Sequence, residues 1–115
     1  MTLSSLERLI ISALDQNKAE NIVSLDLTGK SDVADRMIVA SGTSNRHVAS
    51  LADHLVDALK KLGFNPVPVE GKDSSEWVLV DAGDIIVHLF KPETRARYNL
   101  EKMWSVPSHT AEAVV

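Results

Sequence analysis

Asp81 and Asp84 flank Ala82-Gly83 inside the run EWVLVDAGDIIVHLF, residues 76–90. Two carboxylates at the end of a tight turn suit three kinds of work. They can cap the turn by accepting nearby backbone amides, as aspartates at turns commonly do. They can meet a partner, or they can hold a metal or exchange protons. Turn capping is the simplest expectation, and the other two stay open. Gly42-Thr43-Ser44 lies between an apolar run and a helical pattern, where free amides at a helix start can hold a phosphate. A nucleotidyltransferase places a Gly-Ser element at such a point and adds two carboxylates one residue apart on a strand. That second part is missing, because Asp26 stands alone between Leu25 and Leu27 and the other two aspartates are split by their turn. There is no Walker lysine and no Gly-x-Gly-x-x-Gly run, so residues 42–45 read as helix capping.

Four histidines, His47, His54, His88 and His109, show no ligand spacing. His47 and His54 fall two helical turns apart, ~10 Å, too far for one zinc. His88 alternates with Ile86 and Phe90 and is either a hydrogen-bonded, half-buried ring or an interface contact. With no cysteine, thiol catalysis, thiolate metal sites and disulfides are excluded. No serine or lysine shows a base partner, so neither catalysis nor a metal or cofactor is expected. Trp77, Tyr98 and Trp104 are three of five aromatics. Each is core packing or a binding anchor, since Trp and Tyr combine large area with one polar handle. Glu70, Asp73, Glu76, Asp81 and Asp84 crowd around Trp77 against Lys72 alone. Single-stranded RNA would want aromatics interleaved with a basic groove, so little or no direct RNA contact is expected. A basic protein partner fits the acids better.

Holding these groups in place takes a core. The chain has 115 residues, 44% of them apolar, and a formal charge of −4. That is enough for one domain, and the charge argues against affinity drawn from phosphates. Leu6, Leu9, Ile10, Ala13 and Leu14 make the stripe of an amphipathic helix, and Ser4-x-x-Glu7 has the form of a capping box at its start. Residues 22–27 alternate as a strand, Thr28-Gly29-Lys30 turns out of it, and residues 36–42 form a second strand. Residues 31–35 have room for one helical turn. Val48, Leu51, Ala52, Leu55, Leu59 and Leu62 line one face of the clearest helix, with Thr43, Ser44 or Asn45 to cap it and Gly63 to end it. Residues 66–69 hold two prolines and make an edge or poorly paired strand. Residues 77–81 and 85–90 are the strands of a hairpin, and Pro92 opens a last helix carrying Tyr98, Leu100, Met103 and Trp104.

The order α-β-β-α-β-β-β-α predicts a single α/β domain, a mixed sheet of about five strands flanked by helices. Residues 1–104 make that domain and residues 105–115 a flexible tail. Glu7 and Arg8 interrupt the apolar start, so no signal peptide is expected. No apolar run approaches the ~18 residues of a membrane span, and a cytoplasmic setting is the expectation.

The segments DRMIVASGTSNRHV (35–48), VEG (69–71), EWVLVDAGDIIVH (76–88) and YNLEKMW (98–104) resemble the ribosomal silencing factor family, also called Iojap-like proteins. The likeness runs in order from residue 6 to residue 104, with Met37 near a point where that family usually has an aromatic. It implies a mixed α/β fold of nucleotidyltransferase-like topology, no established transferase activity, no cofactor and often a homodimer. It implies docking on the large ribosomal subunit, chiefly through its protein number fourteen, so that the small subunit cannot join and translation is repressed. It implies a partner surface on the C-terminal sheet and helix. Carried onto this chain, that surface is Trp77, Asp81, His88, Tyr98, Leu100 and Trp104 as anchors or polar contacts, with Asp84 and Glu101 as charge complements. Two other readings remain beside it. One is a large-subunit assembly factor using the same surface. The other is a small nucleotide-binding enzyme built on residues 42–44 and the Asp81/Asp84 turn.

Overall fold

Helical spacing of apolar residues buries Leu6, Ile10 and Leu14 along α1 (Leu3–Gln16) and Val48, Leu51, Ala52, Leu55 and Leu59 along α2 (Asn45–Lys61). In the computed structural model, which describes residues 2–29 and 34–98 and only the backbone of Tyr98, both stripes pack on one face of a five-stranded sheet. The strands are β1 (Glu20–Asp26), β2 (Arg36–Ser41), β3 (Val69–Glu70), β4 (Trp77–Asp81) and β5 (Ile85–Phe90), and α3 (Pro92–Tyr98) follows. The element order is the one the sequence predicts.

The sheet runs β1-β2-β5-β4-β3. The β2–β5 pair is parallel and the other three pairs are antiparallel. Successive side chains alternate between faces. Ile38, Ala40, Val78, Val80, Ile85, Val87 and Leu89 therefore turn toward α1 and α2 in the main core. Leu27, Met37, Val39 and Phe90 gather in a second cluster on the opposite face, with Leu25 and Trp77 packed against it.

The ends of the helices have identifiable causes. Ser44 caps α2 by accepting the His47 amide at 3.1 Å. Gly63, at φ 99°, closes it. Its amide donates to Lys60 and that of Phe64 to Leu59, the paired bonds of a Schellman end. At α1 the expected capping box does not form. Thr2 is the cap, accepting the Ser5 amide at 3.0 Å. Glu7 is engaged elsewhere, 3.4 Å from the Arg36 guanidinium and accepting the Ser24 hydroxyl, so it cannot reach back to the helix start.

Two strand limits also move. β1 begins at Glu20, two residues earlier than its alternation suggests, because a bulge between Glu20 and Val23 absorbs Asn21 in a left-handed conformation. β3 is confined to Val69–Glu70, since Pro66 and Pro68 have no amide to donate. The Pro68 carbonyl still accepts the Asp81 amide at 2.9 Å. Most of the helical turn expected at 31–35 and all of the tail expected at 105–115 lie outside the described residues.

If Thr2 and Ser44 are the caps, Thr2→Ala and Ser44→Ala should each lower the unfolding free energy by about 1 kcal/mol. Ser4→Ala should stay within about 0.5 kcal/mol of the parent. Urea unfolding of the three variants checks both statements.

Candidate functional site

Strand register builds the face opposite α1 and α2 in rows. Leu25, Met37, Ile86 and Asp81 form one row. Val39, His88, Leu79 and Glu70 form the next, and Ser41, Phe90 and Trp77 the third. Met37, Val39, Ser41, His88 and Phe90 are buried. Toward β4 and β3 the face opens: Trp77, Leu79, Asp81 and Ile86 are half-buried and Glu70 is exposed.

Trp77 is the best-positioned side chain of this open part. Its Nε1 donates to Nδ1 of His88 at 2.9 Å. Its ring stacks on Phe90 with centroids 5.1 Å apart and planes 25° apart, and His88 stacks on Phe90 in turn at 6.1 Å. Because His88 accepts at Nδ1, the proton of its neutral ring sits on Nε2. Burial pushes the His88 pKa down from 6.5 to about 4. The imidazole is therefore neutral at pH 7 and keeps the lone pair that Trp77 needs. Of the two sequence readings of His88, the hydrogen-bonded ring is what the geometry shows.

Asp81 and Asp84 divide their labour. The Asp81 carboxylate accepts the Gly83 amide at 2.8 Å, which is the turn cap. Asp84 is exposed, and its carbonyl accepts the amides of Asp35 and Arg36 at 2.9 and 3.1 Å, tying the hairpin tip to the start of β2. Among the described residues no group of three or more His, Asp or Glu side chains is placed to hold a metal ion.

Residues 42–45 form a cap rather than an open cradle. The Thr43 amide donates to His47 Nδ1 at 2.9 Å and the His47 amide to Ser44, so two amides that a phosphate would use are occupied. The other His47 nitrogen lies 2.9 Å from the Asn17 carbonyl and joins the end of α1 to the start of α2. A Cβ on Gly42 would lie 2.8 Å from Val48 Cγ2, which is why this position approaches the helix so closely.

Of the expected partner residues, the structure brings Trp77, Asp81 and His88 onto one face and sets Asp84 at the hairpin tip. Tyr98 closes α3, while Leu100, Glu101 and Trp104 lie outside the described residues. Sequence reasoning did not choose Leu79, Ile86 or Glu70 as partner residues, although it set Ile86 in alternation with His88 and Glu70 among the acids near Trp77. Alternation from Trp77 and His88 already carried the signal for the first two. Glu70 required the register of β3, which is too short to read. Arg95, whose Nη1 donates to Ser41 at 2.8 Å, was likewise missed; it ties α3 to this side of the sheet.

These features define a small α/β protein with one mixed sheet, two helices on one face and a partly open aromatic face on the other. The profile of the family described as ribosomal silencing factor during starvation matches residues 2–114. A ribosomal silencing factor RsfS from Zymomonas mobilis is 43% identical over 109 residues, which span 95% of this chain and 82% of that protein. The crystal structure of a Chromobacterium violaceum protein superposes with a TM-score of 0.88 at 41% identity, covering 93% of this chain and 89% of the other. A mouse protein named mitochondrial assembly of ribosomal large subunit protein 1 is 36% identical over 103 residues, 87% of this chain and 45% of the mouse protein. The chain belongs to the ribosomal silencing factor family.

The lowered His88 pKa has a sign. Below pH 6.5 the unfolded chain takes up the imidazole proton, whereas the folded protein waits until about pH 4. Stability from this group is therefore complete above about pH 6.5 and falls toward pH 4, by about 3 kcal/mol in all. His88→Gln keeps an acceptor and cannot titrate. Urea midpoints of parent and variant at pH 7, 5.5 and 4 should diverge in slope across that window, with the variant the flatter.

Proposed function

We propose that this protein docks on the large ribosomal subunit, chiefly on its protein number fourteen, and that its bulk there keeps the small subunit from joining and so represses translation. The observation that carries this reading is Trp77, a half-buried indole fixed by His88 and Phe90 at the open end of the sheet face. Interfaces draw most of their energy from a few Trp, Tyr and Arg anchors near the centre of the buried patch. An anchor already locked in place loses little freedom on binding, and the surplus appears as affinity. Leu79 and Ile86 supply apolar surface next to it. A contact of ~800 Å² per partner would be of ordinary size.

Charge favours the same partner class. Asp81 and Asp84 lie at the hairpin end of the face, and Glu101 adds a further acid beyond α3. A basic ribosomal protein would be steered by them, with ionic strength weakening the approach. Tyr98, Leu100 and Trp104 extend the proposed surface along the chain. In this reading the protein catalyses nothing and works by exclusion. It also includes a cytoplasmic setting and a homodimeric state. A second reading, assistance in large-subunit assembly, is favoured by the name of the mouse relative and uses the same face.

Trp77→Ala should weaken binding to purified large subunits by about 2 kcal/mol, roughly thirtyfold, as read by co-sedimentation with folding checked by circular dichroism. Tyr98→Ala and Trp104→Ala should act in the same direction. In sucrose gradients, the protein added to mature subunits should lower the joined fraction, and Trp77→Ala should restore it. An unchanged profile with the parent protein would remove silencing and favour the assembly reading over it.

A further inference from the structure

Beside Trp77, toward the β3 edge, a cavity of about 190 Å³ is lined by Glu70, Gly71, Trp77 and Leu79. Ligand and cofactor pockets run to roughly 300–1,000 Å³, so this one suits the head of a single side chain. Its shape depends on a glycine. Gly71 has φ 83°, and a Cβ there would fall 2.1 Å from the Trp77 carbonyl oxygen. The backbones of Gly71 and Trp77 thus approach too closely for any other residue at position 71. Leu79, in register with Glu70 on the same face, supplies apolar surface for methylene groups.

We propose that this cavity receives one basic side chain of the docked protein, stacked against the Trp77 indole and paired with the Glu70 carboxylate. The inference rests on the docking reading above and adds the chemistry of one contact. An aromatic face attracts a cation through its quadrupole, and a carboxylate beside it supplies a charge-assisted hydrogen bond. Arginine fits better than lysine, because its plane matches the ring and its fork matches the carboxylate. The Glu70 carboxylate is exposed and takes no hydrogen bond or ion pair from another described residue. Lys72, the single cation of residues 70–76, is held away from it, paired with Asp53 of α2. Asn45 donates to the Ser74 carbonyl at 2.9 Å and further fixes this loop. Among the described residues, none therefore compensates the negative charge that the cavity presents to the partner. Phosphate-bearing occupants are disfavoured by Glu70, with Asp73 and Glu76 on the same loop.

The test is binding of the full-length protein to purified large subunits over a range of salt, with Trp77→Ala as the reference for docking through this face. Glu70→Gln should weaken binding about fivefold and flatten its salt dependence, and Glu70→Lys should weaken it by more than about tenfold. Urea midpoints should stay at the parent value, since the side chain is exposed. If Trp77→Ala weakens binding while both Glu70 variants bind as the parent does, with the parent salt slope, the basic subsite is overturned and the docking face survives. If Trp77→Ala binds as the parent, the docking reading falls and the subsite with it. A loss in Glu70→Gln with no change in salt slope also overturns the ion pair.

Discussion

Six residues of β2 lie parallel to six of β5, Arg36 beside Ile85 through Ser41 beside Phe90, and this pairing is what makes the chain one object. β1 with β2 is a local antiparallel pair, and β3, β4 and β5 form a local meander. Neither set has more than one covered face by itself. Joining them in parallel requires a crossover, and α2 supplies it, burying Val48, Leu51, Leu55 and Leu59 in the core cluster that also holds Ile38 and Ala40 of β2 and the inward residues of β4 and β5. Both ends of the junction are stitched by backbone bonds. Asp84 accepts the Asp35 and Arg36 amides at one end, and Phe90 accepts the Gly42 amide at the other.

The aromatic face inherits its rigidity from that junction. His88 and Phe90 sit on β5 beside Val39 and Ser41 of β2, and burial keeps His88 an uncharged acceptor. The Trp77 indole then has a fixed partner on the adjacent strand. Arg95 reaches Ser41 from α3, so the last described helix is tied to the same row. The face is closed along β2 and opens toward both edges, at Trp77, Leu79, Asp81 and Ile86 on one side and at Val23 and Leu25 of β1 on the other.

Much of this was legible in the residues. The stripe of α1, that of α2 as far as Leu59, the strands at 77–81 and 85–90, a cap among Thr43, Ser44 and Asn45, the Gly63 terminus and the Asp81 turn all follow from local rules, and the structure agrees with these. Leu62, expected on the α2 stripe, is instead the exposed residue that ends the helix. What escaped was decided at long range. Ser4-x-x-Glu7 looked like a cap because local spacing cannot reveal that Glu7 is claimed by Arg36 and Ser24. The early start of β1 depends on a bulge opposite β2. Glu70 joins the face only through the pairing of a two-residue strand, too brief to carry a periodic signal. Trp77 and His88 were singled out by type, but their mutual hydrogen bond needed the β4–β5 register and could not be read from either residue.

Sheet proteins that display a greasy surface risk stacking side by side into fibres, because a bare outer strand is a template for another chain. Here both outer strands are spoiled as templates. β3 offers two residues behind a pair of prolines, and β1 is buckled where Asn21 adopts a left-handed twist. A molecule built this way can hold out an adhesive surface to a partner and still resist polymerising with itself along its rims.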